Sequence, residues 1–240
     1  MIDHGIIHES QIGFSKKSRT SDHLFVLKCL IDKYVNTESK RLYTCFVDCH
    51  KAFDTVIHAG IQYKLLQCNI NGLFYNVLCS MYGRGNNISV KINDRLTGPF
   101  TPEVWGRQGD VLSPNIFKIF LNDFSNILEN IERDDSVNLS GKKITSLLLY
   151  ADDLVLISNN AEGLQHKLEI LHQYCKDWCL KVNIKKTKVV IFNKTGRLIT
   201  ENFKLGSEVI ECVNRYKYLG IMLSASGNFK KLDMYYIIKR

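Results

Sequence analysis

Two adjacent aspartates, Asp152 and Asp153, lie between two short runs of branched apolar residues. Leu147-Leu148-Leu149 precedes Tyr150-Ala151, and Leu154-Val155-Leu156-Ile157 follows the pair. Runs of this length predict two buried strands joined by a tight turn. Two anions at the tip of a buried hairpin are unfavourable. At about 4 Å and an effective dielectric of about 20, like charges repel by roughly 4 kcal/mol. A hard divalent cation such as Mg²⁺ relieves that repulsion and suits carboxylate oxygens. Asp-Asp also occurs in ordinary solvated turns. This pair differs in having apolar strands on both sides and no Gly or Asn to make the turn.

A length of 240 residues suffices for one large domain or two small lobes with a real core. The net charge of +8 fits a polyanionic partner, nucleic acid before others. Eight cysteines are scattered without a Cys-x-x-Cys pair, which suggests a reducing, intracellular setting without resolving nucleus from cytoplasm. Met1-Ile2-Asp3-His4-Gly5 has no signal-peptide core, and no apolar run reaches membrane-spanning length, so no membrane partner is expected. Oligomeric state leaves no mark on the sequence.

The periodicity predicts a helix after Ser21 and Asp22 as caps, with Leu24, Leu27, Ile31 and Tyr34 on one face. A strand from Leu42 to Val47 ends at Asp48. Helices are predicted over 58–67 and 72–82, then a hairpin pairing Ile88–Ile92 with Phe100–Val104. The Gly106–Asp110 loop leads to a helix with Ser113 as N-cap and Pro114 as first residue. Its apolar stripe is Phe117, Phe120, Leu121, Phe124, Leu128 and Ile131. After the Asp-Asp hairpin come a helix over roughly 161–178 and strands near 180–183, 187–192, 208–213 and 216–223. This mixed order, with adjacent hairpins, predicts an α+β fold: an antiparallel sheet with helices on one face.

Asp48 ends a strand apolar enough to lie beside the Asp152-Asp153 hairpin. Three carboxylates converging from two strand ends would hold two metal ions roughly 3.5–4 Å apart, an arrangement suited to in-line phosphoryl transfer. Alone, Asp48 reads as readily as a cap or turn residue.

Six blocks, in order, resemble the reverse transcriptase domain of LINE-type (non-LTR) retrotransposons. They are Gln11-Ile12-Gly13-Phe14 with Arg19-Thr20-Ser21-Asp22-His23; Phe46-Val47-Asp48 with Lys51-Ala52-Phe53-Asp54 and His58; Arg107-Gln108-Gly109-Asp110 through Ser113-Pro114; Tyr150-Ala151-Asp152-Asp153; Trp178, Leu180-Lys181-Val182-Asn183 and Lys186-Thr187-Lys188; and Tyr216-Lys217-Tyr218-Leu219-Gly220. The resemblance runs from about Gln11 to Gly227. It implies a right-hand polymerase palm, mainly over about 42–240 with inserted fingers segments. Partial fingers would occupy about 1–41, and the thumb would be absent.

The resemblance also implies roles. Asp48, Asp152 and Asp153 would be the catalytic, metal-binding aspartates for two Mg²⁺ ions, with Mn²⁺ the other candidate. Phe53 would crowd a 2′-hydroxyl and favour dNTPs; Gln108 and Gly109 would line the nucleotide pocket. Lys186 would act as general acid toward the departing pyrophosphate. Arg107, Tyr150, Tyr216, Tyr218, Leu219 and Gly220 would meet the nucleic acid, the last four in a hairpin under the primer end. Lys16, Lys17 and Arg19 would reach phosphates. The implied activity is RNA-directed DNA polymerisation, with RNA template, DNA primer and dNTPs as partners. Two other readings stand beside it: a palm-fold nucleotide cyclase, opposed by the Arg107-Gln108-Gly109 block, and a catalytically weak or inactive nucleic-acid-binding remnant.

Overall fold

The computed structural model describes residues 7–13, 19–49, 56–82, 87–100, 112–130, 136–139, 142–144 and 146–228. In chain order the described elements are α1 (Thr20–Ile31), continued by a π-helical turn over Asp32–Thr37; β1 (Leu42–Asp48); α2 (His58–Gln67); α3 (Gly72–Tyr82); β2 (Lys91–Ile92); β3 (Arg95–Leu96); and α4 (Ser113–Glu129). There follow β4 (Val137–Leu139), β5 (Lys142–Ile144), β6 (Leu147–Tyr150), β7 (Asp153–Ser158), α5 (Ala161–Asp177), β8 (Lys188–Phe192), β9 (Phe203–Leu205), β10 (Glu208–Cys212), β11 (Arg215–Tyr218) and β12 (Ile221–Ser224).

Six strands form one sheet in the order β6-β7-β1-β8-β10-β9. All its pairings are antiparallel except β8 with β10. The sheet is therefore mixed rather than purely antiparallel. β1 lies inside it, and its seven residues are buried except Asp48 at the end. A strand covered on both faces reads as a continuous apolar run rather than an alternating one, as Leu42–Val47 does.

Residue parity along β1 separates two cores. Tyr43, Cys45 and Val47 face a cluster with Ile61 and Leu65 of α2, Phe117, Phe120 and Phe124 of α4, and Leu164, Leu168 and Leu171 of α5. Leu42 and Phe46 face the opposite cluster, with Leu24, Leu27 and Leu30 of α1 and Tyr218 and Leu223 of the β11–β12 hairpin. The expected helical layer thus covers one face, and α1 with a hairpin covers the other.

Several boundaries differ from the sequence reading. Ser21 and Asp22 lie inside the first turn of α1: Arg19 is the N-cap, and the Asp22 carboxylate accepts from its backbone N–H at 2.8 Å. Leu112 precedes α4, so Ser113 is helical rather than capping. The exposed β2–β3 hairpin turns at Asn93-Asp94, with an added bridge from Ile88 to Phe100; its second arm begins at Arg95, and residues 101–104 lie outside the described set. Near 180–183 a single bridge joins Cys49 to Val182 in place of a strand. All eight cysteines are free thiols. Among the described residues, no helix is long and apolar enough to cross a membrane.

Candidate active site

The site begins with a register. β1 pairs antiparallel with β7 so that Asp48 is the partner of Asp153, and Tyr150 of β6 is the partner of Asp153 on its other side. Asp152 occupies the two-residue turn between β6 and β7. Ala151, the first turn residue, has φ of 59°, whereas Asp152 is not at positive φ. This turn usually takes Gly at that position, and an alanine there carries backbone strain. Local strain at the tip of the carboxylate hairpin is held by the surrounding fold.

The surroundings are a third piece of chain. Residues 10–12 run alongside β6, with Ile12 N–H donating to the Leu149 carbonyl at 3.1 Å and Leu149 N–H to the Ser10 carbonyl at 3.0 Å. Gly13 then lies against the Tyr150–Ala151 backbone so closely that a Cβ would collide with the Ala151 nitrogen. Glycine is required here by close approach rather than by a turn. Gln11 is fully buried, and its Oε1 accepts from Gly13 N–H at 3.3 Å.

Asp48 is held by its backbone. Its N–H donates to Thr187 Oγ1 at 3.2 Å, and its carbonyl accepts from Asn183 N–H at 2.8 Å. The Asn183–Thr187 segment therefore clamps the end of β1. Sequence reasoning assigned no role to Asn183 or Thr187, although both lie in a quoted block. Lys186, largely exposed, places Nζ 3.8 Å from Asp48 Oδ1.

The electrostatics follow from this crowding. Burial first, then Asp152 and Asp48, push the Asp153 carboxyl up to about 6. Burial, then Asp153 and Asp48, push the Tyr216 phenol up to about 12. Among the described residues, no three carboxylate, imidazole or thiol groups close into a ready-made metal shell. Asp48 and Asp153 meet in register with Asp152 adjacent in the chain, so hard oxygen donors gather at one strand end. That fits Mg²⁺, which is commonly held by one or two carboxylates with substrate phosphates completing its sphere.

The β11–β12 hairpin flanks the site. Leu219 and Gly220 form its two-residue turn with φ of 46° and 86°. Both central residues are left-handed, and Gly220 suits that geometry. Tyr216 stacks on Phe46, with ring centroids 4.6 Å apart, and Phe46 lies two residues before Asp48 on the same strand face. Tyr218 is 2% exposed. Its ring packs against Phe46 and seats the hairpin on the core. A cleft of about 860 Å³ opens between hairpin and sheet, lined by Asp48, Lys186, Lys188, Arg215, Tyr216 and Lys217 among others. Among the described residues, one carboxylate and four cations thus share its wall.

The family model described as "Reverse transcriptase (RNA-dependent DNA polymerase)" matches residues 1–223. The chain belongs to the reverse transcriptase family. It is similar to a probable RNA-directed DNA polymerase from transposon BS of Drosophila melanogaster, 29% identical over 95% of this chain and 25% of that protein. The RNA-directed DNA polymerase from the mobile element jockey of the same species is 27% identical over 94% of this chain and 24% of its own length. The chain therefore spans about a quarter of the length of these relatives. Among solved structures, apo telomerase from Candida tropicalis shares the fold, with a TM-score of 0.62 at 14% identity, covering 93% of this chain and 37% of that one. The α+β layout is thus that of a polymerase palm.

Within this reverse transcriptase domain, Tyr150 lies beside Asp153 at the end of β6, and Leu219 and Gly220 form the turn of the β11–β12 hairpin. Phe53, Arg107, Gln108, Gly109, Lys16 and Lys17 lie outside the described residues.

Proposed function

We propose that this chain is the palm-centred part of an RNA-directed DNA polymerase of the non-LTR retrotransposon type. It would add dNTPs to a DNA primer 3′-hydroxyl on an RNA template. The observation that carries the reading is the pairing of Asp48 with Asp153 beside Asp152, within a chain of this family.

Asp48, Asp152 and Asp153 would hold two Mg²⁺ ions, Mn²⁺ being an alternative. When bound, such ions lower the pKa of an attacking hydroxyl and stabilise the charge on a leaving pyrophosphate. The protein's own contribution is positional. The clamp by Asn183 and Thr187 fixes Asp48. The strained Ala151 turn presents Asp152 and Asp153 together. Lys186 stands at the cleft wall beside Asp48, where it would donate a proton to the departing pyrophosphate. Lys188, Arg215 and Lys217 line the same cleft and would meet strand phosphates. Phe53, Gln108 and Gly109 would complete the nucleotide pocket, and Arg107 would meet the template. The free thiols accord with an intracellular setting.

Primer extension on an RNA template with Mg²⁺ and dNTPs tests this reading. The wild-type chain is expected to extend the primer and Asp152→Ala is not. RNA binding by both, with product from neither, would favour a nucleic-acid-binding remnant.

A further inference from the structure

We infer that His23 is a positioning residue for the carboxylate site: its imidazole ties the Tyr218 hydroxyl and the Tyr150 ring to α1, holding the β11–β12 hairpin and the Asp152-Asp153 turn in one fixed relation. The inference rests on the polymerase reading above.

His23 lies in the first turns of α1 and is 3% exposed. Its Nδ1 is 3.4 Å from the Tyr218 hydroxyl, across 195 residues of sequence. Its ring meets that of Tyr150 edge-on, with centroids 6.2 Å apart at 74°. From these two contacts a packed path leads to each half of the site. Tyr218 lies 5.1 Å from Phe46, which shares a strand face with Asp48. Tyr150 is the register partner of Asp153. The two strand ends that carry the carboxylates therefore meet again, behind the site, at one imidazole.

Packing alone does not explain a histidine here. Its Nε2 is buried without a hydrogen bond of normal geometry, a cost that leucine or phenylalanine would avoid. What an imidazole adds is a directional polar contact with Tyr218. Burial holds the ring neutral, so one nitrogen accepts while the other carries the proton. The backbone of Ser10 interacts favourably with the protonated ring, and the Ser10 carbonyl also accepts from Leu149 of β6. The same histidine thus touches α1, the strand edge beside β6, and the β11–β12 hairpin.

The test uses the full chain and amide hydrogen exchange, which needs no enzymatic activity. His23→Leu is expected to speed exchange of the Tyr218 and Ile221 amides about tenfold, the loss of one hydrogen bond. Exchange at Val190, in the sheet interior, stays unchanged. His23→Asn, whose side-chain amide overlays Nδ1, restores most of the protection. Equal exchange in wild type and His23→Leu would overturn the proposal, as would a uniform rise across the sheet or failure of His23→Asn to restore protection. If His23→Leu does not fold, Tyr218→Phe, which removes only the hydroxyl, must loosen the hairpin by itself, and unchanged exchange there refutes the role. Extension assays on the same proteins then separate the two readings. In an active chain, His23→Leu raises the primer KM about tenfold and leaves the dNTP KM unmoved. A wild-type chain without product refutes the polymerase reading, while the exchange data still decide the tie itself.

Discussion

Asp48 and Asp153 stand opposite each other in the antiparallel register of β1 and β7, one residue from Asp152. Nothing in the local sequence of either strand requires this. It follows from where β1 sits: paired with β7 on one side and with β8 on the other, its carboxyl end reaches the tip of the carboxylate hairpin. The carboxylates thereby stand at the ends of two interior strands of the sheet.

Burial of Asp153, with two carboxylates beside it, has a stability consequence. The folded Asp153 carboxyl titrates at about 6, above its ordinary 3.8. Its favourable contribution is complete below the lower value and is lost as pH rises through the upper one. In chelator-treated protein at neutral pH, Asp153→Asn should therefore stabilise the fold. Allowing for solvent around a partly exposed group, the gain is about 1 kcal/mol. Urea unfolding should show the gain near neutrality and its disappearance once the wild-type carboxyl is protonated in both states.

His23 behaves in the opposite sense. Burial depresses its pKa from 6.5 to about 4, partly offset by the Ser10 backbone and by Asp22; Tyr150 and Tyr218 are the other titratable groups facing it. The unfolded chain then binds the extra proton first, so stability falls as pH drops through that window. Wild type should lose about 3 kcal/mol more than His23→Asn across it. Paired denaturation curves at the two ends of the window measure the difference.

Gly13 is the least forgiving backbone position near the site. In Gly13→Ala the new methyl meets the Ala151 backbone, which cannot move without shifting the turn that carries Asp152. A loss of about 1–3 kcal/mol in stability is expected from overpacking. A larger proportional loss in extension rate should accompany it, and assaying both on one preparation separates the two effects.

Below the sheet, Lys64 is 2% exposed, with Nζ 3.6 Å from the Trp178 ring centroid, 3.3 Å from the Tyr174 hydroxyl and paired with Asp123. This ammonium joins α2 to α4 and α5. Lys64→Ala should destabilise the fold by about 3 kcal/mol, because it removes the cation and leaves a void between helices. Lys64→Met, which keeps the stem, should cost less in the same unfolding experiment.

The sequence made some of this legible. Helices over 58–67 and 72–82 match α2 and α3 residue for residue, because their boundaries coincide with strong local signals such as Gly72. The apolar stripe of α4 is likewise buried at Phe117, Phe120, Leu121, Phe124 and Leu128. Contacts that join distant segments left no local trace. Gly13 looked like part of a fingers block, and its packing on Ala151 depends on a strand-edge pairing far along the chain. Tyr218 reads from sequence as part of a primer-end hairpin, and its packing against α1 and Phe46 depends on segments far along the chain. The three-residue β9 is too short to show a period, and the parallel β8–β10 pairing is a property of tertiary arrangement.

In the proposed mechanism Asp48 and Asp153, from two strands, act as one site. Single-turnover primer extension by Asp48→Asn, Asp153→Asn and the double variant tests it most directly, with template binding measured alongside. Residues acting as a unit are strongly non-additive. Each single substitution should therefore cost nearly as much as both together, within about tenfold, with template binding preserved. Losses that multiply in the double variant, or an Asp48→Asn chain that extends primers at the wild-type rate, would contradict the shared site.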